Sequence, residues 1–185
     1  GLKIRILPNG YFLEKYLEQI ESRDQKEVLV IQDDFASPSM LKYIHSGKYD
    51  VIFHQAAVPR VSYSVENPSH TTYINIGKTV SLFEAARKAT RRIVWASSSS
   101  VYGGSDILPT KETTKKDPKS PYASQKSSIE DFAKQCWDLY NLDVVCLRYF
   151  NVFGPGQYGD SPYATAVAAW CHAIKNGLEC RSDGD

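Results

Sequence analysis

Short apolar runs alternate with longer helical stretches along this chain, and that alternation limits the folds open to it. LKIRIL (2–7), EVLVIQ (27–32), DVIFH (50–54), RIVWA (92–96) and DVVCLR (143–148) read as strands. Between and after them, residues 11–22, 38–46, 68–89, 121–140 and 162–176 carry apolar positions at helical spacing. Strands joined by helical crossovers pair in parallel. The strand runs are continuously apolar rather than alternating, so both faces of the sheet are covered. This predicts a doubly wound α/β fold.

Four helix starts share one signal: Ser37-Pro38, Asn67-Pro68, Ser120-Pro121 and Ser161-Pro162. The Ser or Asn side chain accepts from a free N–H of the first turn, and proline at the first helical position gives up a donor that has no partner there.

Composition excludes several classes. The chain has 185 residues, long enough to bury a core without disulfides or metals. Its 42% hydrophobic content argues against intrinsic disorder. Lys plus Arg total 22 and Asp plus Glu total 21, a balance that argues against a nucleic-acid partner or a membrane surface. No apolar run approaches the ~20 residues of a membrane span, and no signal peptide opens the chain. Cys136, Cys146, Cys171 and Cys180 form no C-x-x-C pair and have no histidine at zinc-ligand spacing. They read as reduced thiols of a cytoplasmic protein, with no metal site. His45, His54, His70 and His172 read as structural, with His54 packed at a strand end.

In doubly wound folds, ligands bind at the carboxyl ends of the strands. Those ends carry Asp33, Asp34 and Phe35; Gln55, Ala56 and Ala57; Ser97, Ser98, Ser99 and Ser100 followed by Val-Tyr-Gly; and Tyr149, Phe150 and Asn151. Small residues let a flat ligand approach the backbone, while hydroxyls, amide and acid orient it. Turn chemistry explains single Gly or Ser residues here; it explains a run of four serines before an aromatic poorly.

Tyr122-Ala-Ser-Gln-Lys126 lies one residue inside a helix start, and its spacing puts phenol and ammonium on one face. A phenol with a pKa near ~10 is a poor base at neutral pH. A nearby fixed cation and the helix N-terminus favour the phenolate. Lowering its pKa by ~2–3 pH units takes ~3–4 kcal/mol. Without the serine run, an exposed surface pair would be the better reading of Y-x-x-x-K.

HQAA (54–57), SVENP (64–68), Asn75 followed by LFEAAR (82–87), SSSSVYG (97–103), SPYASQK (120–126) and RYFNVFGPG (148–156) come in the order and spacing of the extended short-chain dehydrogenase/reductase family. Over residues 27 to the end, the chain resembles its nucleotide-sugar epimerases, of the UDP-glucose and UDP-N-acetylglucosamine 4-epimerase kind. The resemblance implies a Rossmann-type parallel sheet and NAD as cofactor. Tyr122 would be the acid–base, with Lys126 holding the nicotinamide ribose and Ser98 bonding the reacting sugar hydroxyl. Asp34 and Phe35 would meet the adenine, and Ala56 and Ala57 would line the path to the ribose. Asn75 and Ser97 would support the cofactor. Tyr149 and Phe150 would approach the nicotinamide. Ser99 and Ser100 would face the sugar, and Asn151 its diphosphate. Tyrosinate would take the 4-hydroxyl proton while hydride leaves the same carbon for NAD and returns to the other face.

Relatives are separated by the serine run. Nucleotide-sugar 4,6-dehydratases usually carry Asp-Glu at the positions of Ser99 and Ser100, and UDP-glucuronate decarboxylases a Glu at that of Ser100. UDP-glucuronate 4-epimerases tend to have Thr in place of Asn151. RYFN therefore leans towards a neutral UDP-hexose. Those relatives stay as alternatives, as does a non-catalytic dinucleotide-binding scaffold or regulator. The resemblance departs at the start, where the family has a strand and a G-x-x-G-x-x-G turn that this sequence lacks. It also departs at Gly77-Lys78, where the family has its glycine in place of Lys78. The expected organisation is an incomplete NAD-binding Rossmann domain over 1–160, without the first glycine-rich strand-turn-helix, then the start of a substrate domain over 161–185. Leu82, Phe83, Phe132 and Trp137 add apolar surface to their helices. By resemblance they predict a homodimer through a four-helix bundle; the alternative is that they are internal core.

Overall fold

The computed structural model describes residues 3–7, 28–104, 108–154, 157–160 and 164–180. The helix expected over 11–22 lies outside the described residues. Strands and helices alternate: β1 (Lys3–Leu7), β2 (Val28–Gln32), α1 (Pro38–His45), β3 (Val51–His54), α2 (Val61–Glu66) and α3 (Pro68–Thr72). A π-helical turn (Tyr73–Lys78) leads into α4 (Thr79–Ala86). Then follow β4 (Arg92–Ser98), a 3₁₀ turn (Ser99–Tyr102), α5 (Pro121–Tyr140), β5 (Asp143–Tyr149) and α6 (Ala166–Lys175).

The strands form a two-stranded sheet, β1-β2, and a three-stranded sheet, β3-β4-β5. β1 runs parallel to β2, and β3 to β4 with Val51 opposite Arg92 and His54 opposite Trp95. This is the α/β fold with parallel strands that the alternation predicts. In β4, Ile93, Trp95 and Ser97 are buried and the residues between them half-buried. Both faces are therefore at least partly covered, as a continuously apolar strand requires.

The core of the first unit is Ile44, Leu82, Phe83, Ala86, Ile93, Trp95, Ile129, Ala133, Cys136 and Leu142. α5 supplies its part through a stripe at helical spacing: Tyr122, Lys126, Ile129, Ala133 and Cys136 are all buried. Ser120 caps this helix by accepting from the Ala123 N–H at 3.1 Å. At the other end Asn141 takes the left-handed conformation (φ 55°), and the Leu142 N–H returns to the Cys136 carbonyl.

Residues 68–89 contain the expected helix: five residues of α-helix and a six-residue π turn lead into α4, which ends in the LFEAA run. The residue inserted in the π turn leaves no trace in apolar periodicity. Two expectations need correction. The last helix begins at Ala166 rather than at Pro162, with Thr165 at its N-cap; Ser161 and Pro162 lie outside the described residues. Of the four start signals, Ser37 and Ser120 make the capping bond, whereas Asn67 makes none because α2 ends on it and fixes its backbone. Leu82 and Phe83 are 2% and 1% exposed, internal core of this one chain, while Trp137 is 56% exposed.

The chain divides into two compact units, Gly1–Arg148 and Tyr149–Asp185. Among the described residues no helix is long and apolar enough to cross a membrane, and no cluster of His, Cys, Asp and Glu has the makings of a metal site. The four cysteines are free thiols.

Candidate active site

Three consecutive β4 residues meet three α5 residues spaced one turn apart. The Lys126 ammonium donates to the Ala96 carbonyl at 2.6 Å. The Ser97 hydroxyl donates to Glu130 at 2.6 Å. The Ser98 hydroxyl faces the Tyr122 phenol and lowers its pKa. The serine run and the Y-x-x-x-K pair thus meet in one place, at the carboxyl end of a parallel strand and the N-terminal turns of a helix.

Each position has a local cause. Tyr122 is 8% and Lys126 3% exposed, both on the buried stripe of α5. The Tyr122 backbone N–H, an orphan of the first helical turn, is taken by Ser64 Oγ of α2 at 3.1 Å. Ser98 holds the start of the 3₁₀ turn by accepting from the Ser100 N–H at 3.2 Å. Gly103, left-handed at φ 67°, ends that turn, and a Cβ there would fall 1.8 Å from the Asp117 carbonyl oxygen.

The electrostatics differ from the sequence expectation at one point. Burial raises the Tyr122 phenol above its ordinary pKa, and the Ser98 hydroxyl lowers it in part. Lys126 stands 5.7 Å from the phenol ring centroid and 4.5 Å over the Trp95 ring. Desolvation, partly offset by Cys146, brings Lys126 down to about 8, so at neutral pH it remains the buried cation of the site. In this structure desolvation of the phenol outweighs the expected help from that cation.

Around this centre, Asn75 is buried within the π turn. Its Oδ1 accepts from the Val58 N–H at 2.8 Å, and its Nδ2 donates to the Val58 carbonyl and to Gln125 Oε1. Gln125 in turn donates to the hydroxyls of Thr71 and Thr72. Asn75 thereby fixes the loop after β3 that carries the half-buried Ala56 and Ala57. His54 ends β3 buried, 3.2 Å from Thr79 Oγ1 and packed on the Phe35 ring, and burial lowers it to about 3, a neutral structural histidine. At the end of β2, the Asp34 carboxylate accepts from the Ala36 N–H and pairs with Lys78 at 2.5 Å. Ser99 and Ser100 are half-buried, and the Ser100 hydroxyl oxygen is buried without a hydrogen-bond partner.

The structure brings together Tyr122, Lys126, Ser97, Ser98, Ser99 and Ser100. Asp34 and Phe35 stand at a neighbouring strand end of the same unit. Tyr149, Phe150 and Asn151 fall in the second unit, where all three are exposed. Ser64, Glu130 and Arg148 are structural contributors that the sequence reading passed over. Their signals were the SVENP stretch, the four-residue step from Lys126, and the arginine before Tyr149.

As chemistry, the arrangement is a phenol in contact with a hydroxyl, beside a buried cation that spends one of its three N–H donors on a carbonyl. It suits proton exchange with an alcohol whose oxygen is held by Ser98.

Known proteins match this chain over most of its length. Human dTDP-D-glucose 4,6-dehydratase is 31% identical over 175 residues, 91% of this chain and 49% of that protein. UDP-glucose 4-epimerase of Mycolicibacterium smegmatis is 35% identical over 173 residues, 91% of this chain and 54% of that one. Among solved structures, UDP-N-acetylglucosamine 4-epimerase from Methanobrevibacter ruminantium, in complex with UDP-N-acetylmuramic acid, superposes with a TM-score of 0.86 at 36% identity. It covers 98% of this chain and 57% of its own. The chain thus spans about half the length of the curated relatives it matches. The family model for NAD-dependent epimerases and dehydratases matches residues 15–185, and this chain belongs to that family.

Proposed function

We propose that this chain carries the catalytic centre of an NAD-dependent 4-epimerase acting on a neutral UDP-hexose, UDP-glucose/galactose or UDP-N-acetylglucosamine/galactosamine. The observation that carries the reading is the meeting of Tyr122 with the serine run: Ser98 lowers the phenol's pKa, and Lys126 is buried on the same helical face 5.7 Å from the ring. The residues present fit the nicotinamide–ribose end of the cofactor. Lys126 has N–H donors to spare for a ribose diol. Ala56 and Ala57 present no side chain beyond a methyl. The Ser100 hydroxyl, buried and unpartnered, lacks the bond that a substrate hydroxyl would supply.

Tyr122 takes the proton of the sugar 4-hydroxyl and returns it after inversion. Ser98 holds that oxygen in line with the phenol. Lys126 places a buried positive charge on the same helical face, opposing the desolvation that raises the phenol. Bound NAD would accept the hydride from the 4-carbon and give it back on the other face. Ser99 and Ser100 offer hydroxyls where loss of water would call for an acid and a base, which favours epimerisation over dehydration. Ser97 and Asn75 hold the cofactor-side loops, Asp34 and Phe35 serve the adenine, Tyr149 and Phe150 the nicotinamide, and Asn151 the diphosphate. A homodimer would use the outward end of α5, where Trp137, Leu139 and Tyr140 are exposed. A cytoplasmic location is part of this reading.

The test is an assay of the full chain with NAD and, in turn, UDP-glucose, UDP-N-acetylglucosamine and UDP-glucuronate. The expected product is the 4-epimer of a neutral sugar, with Tyr122→Phe reducing turnover by about 10³-fold while cofactor binding survives. A 4-keto-6-deoxy product, or turnover of UDP-glucuronate alone, would overturn the reading. Sedimentation at monomer mass would remove the dimer.

A further inference from the structure

The geometry points to Glu130 as a positioning residue: its carboxylate sets the α5 helix carrying Tyr122 against the strand end carrying the serine run. The inference rests on the epimerase reading for its consequence in turnover, but its geometry stands apart from that reading.

Glu130 lies one turn beyond Lys126, its side chain 8% exposed. One carboxylate oxygen accepts from the Ser97 hydroxyl at 2.6 Å and from Arg148 Nε at 2.9 Å. The other accepts from Arg148 Nη2 at 2.7 Å. This is the two-pronged guanidinium–carboxylate pair that fixes orientation as well as distance. Arg148, the last residue of the first unit, also donates Nη1 to the Glu112 carbonyl and stands 4.9 Å over the Tyr102 ring. Lys116 approaches Glu130 at 3.8 Å while its main bonds go to Asp131 and to the Ser127 carbonyl. One carboxylate therefore gathers β4, β5, α5 and the loop before α5.

The Tyr122 backbone is held by Ser64, but its side chain has no charged anchor among the described contacts. Its side chain reaches β4 through the Ser98 hydroxyl, and Ser98 is the neighbour of the residue that Glu130 grips. Lys126 attaches α5 to β4 at Ala96. Glu130 adds a second attachment, about 5.4 Å further along the helix axis. Two attachments set both the distance and the angle of the helix, and with them the reach from Tyr122 to Ser98. A misplacement of about 1 Å between reacting groups costs on the order of 10²-fold in rate.

The decisive experiment uses Glu130→Gln in the full chain. The amide keeps the size and can still accept from Ser97, but loses the two-pronged pair with Arg148. Turnover is expected to fall at least about ten-fold, with KM for the UDP-sugar and for NAD unchanged within about two-fold. A second readout needs no turnover. The phenolate absorbance of Tyr122, isolated as the difference from the matching Tyr122→Phe protein, is titrated in wild type and in Glu130→Gln. Loosening the Ser98 contact, which holds the phenol down, moves the Tyr122 midpoint up. If Glu130→Gln folds and the midpoint stays in place, the inference is overturned, whatever the enzyme's substrate proves to be. If the midpoint moves while no UDP-sugar is turned over, the positioning stands and the epimerase reading falls. Ser97→Ala, which removes one bond and leaves the ion pair, covers failure of Glu130→Gln to fold. It shifts the midpoint in the same direction by a smaller amount, and an unmoved midpoint there overturns the inference equally.

Discussion

Lys126 reaches across from α5 to donate to the Ala96 carbonyl at 2.6 Å, with the Trp95 ring 4.5 Å beneath its ammonium. A cation 3% exposed and without a carboxylate partner in these contacts is held by a carbonyl and a π face. That arrangement leaves it short of full compensation for lost water, which is why its pKa falls to about 8 from the ordinary 10.5.

The pH dependence of stability follows with a definite sign. Between about pH 8 and 10.5 the folded protein has released the Lys126 proton and the unfolded chain keeps it. The unfolded state then binds more protons, so stability rises with pH, by up to about 1.4 kcal/mol per pH unit. Urea unfolding of wild type and Lys126→Met, compared at about pH 7.5 and 9.5, should show wild type gaining on the variant by about 1–2 kcal/mol. A constant difference would mean that Lys126 titrates normally.

Ser100 separates stability from function. Its buried hydroxyl has no partner among the described residues, so Ser100→Ala removes a polar atom that none of them compensates. Thermal unfolding should show the variant at least as stable as wild type, within about 1 kcal/mol. On the epimerase reading, its KM for the UDP-sugar should rise several-fold. A loss of more than about 2 kcal/mol would reveal a partner for this oxygen within the protein.

Gly103 ends the 3₁₀ turn that follows the serine run. Its φ of 67° disfavours any side chain, and a methyl would fall 1.8 Å from the backbone oxygen of Asp117. Asp117 is itself tied by its N–H to the Val101 carbonyl at 2.9 Å, so the obstacle is fixed backbone. Gly103→Ala is expected to cost more than about 2 kcal/mol in denaturant unfolding. A midpoint unchanged from wild type would mean that the turn rearranges freely.

What was legible in the sequence was local. The β4 run and the four-residue step from Tyr122 to Lys126 are governed by periodicity, and the structure places them as that periodicity predicts. Ser37 and Ser120 cap helices because each acts on an amide three residues away. What was not legible lies between distant segments. Glu130 and Ser97 are 33 residues apart, and Asn75 and Gln125 are 50 apart. No spacing rule connects such pairs. The π turn at Tyr73–Lys78 is hidden for another reason: the helix continues on both sides of it. Lys78 read as a minor departure from a family pattern, yet its reach to Asp34 spans 44 residues and takes up one oxygen of a carboxylate assigned to the adenine.

Ser64 ties α2 to α5 and gives the sharpest comparison of two caps. It is fully buried; its hydroxyl donates to the Val61 carbonyl at 2.6 Å and accepts from the Tyr122 N–H at 3.1 Å. Ser120 serves the next amide of the same turn, that of Ala123, also at 3.1 Å, but it is half-buried, so water can replace its hydroxyl. Ser120→Ala should therefore cost about 1 kcal/mol, the usual loss of an N-cap. Ser64→Ala leaves the Tyr122 N–H without a partner in a dry site and should cost more, about 2–3 kcal/mol. Hydrogen exchange supplies a local readout, because the Tyr122 amide should exchange faster in Ser64→Ala while amides near Asn141 keep their protection. Equal costs for the two substitutions, or an unchanged Tyr122 amide, would show that Ser64 does not hold the first turn of α5.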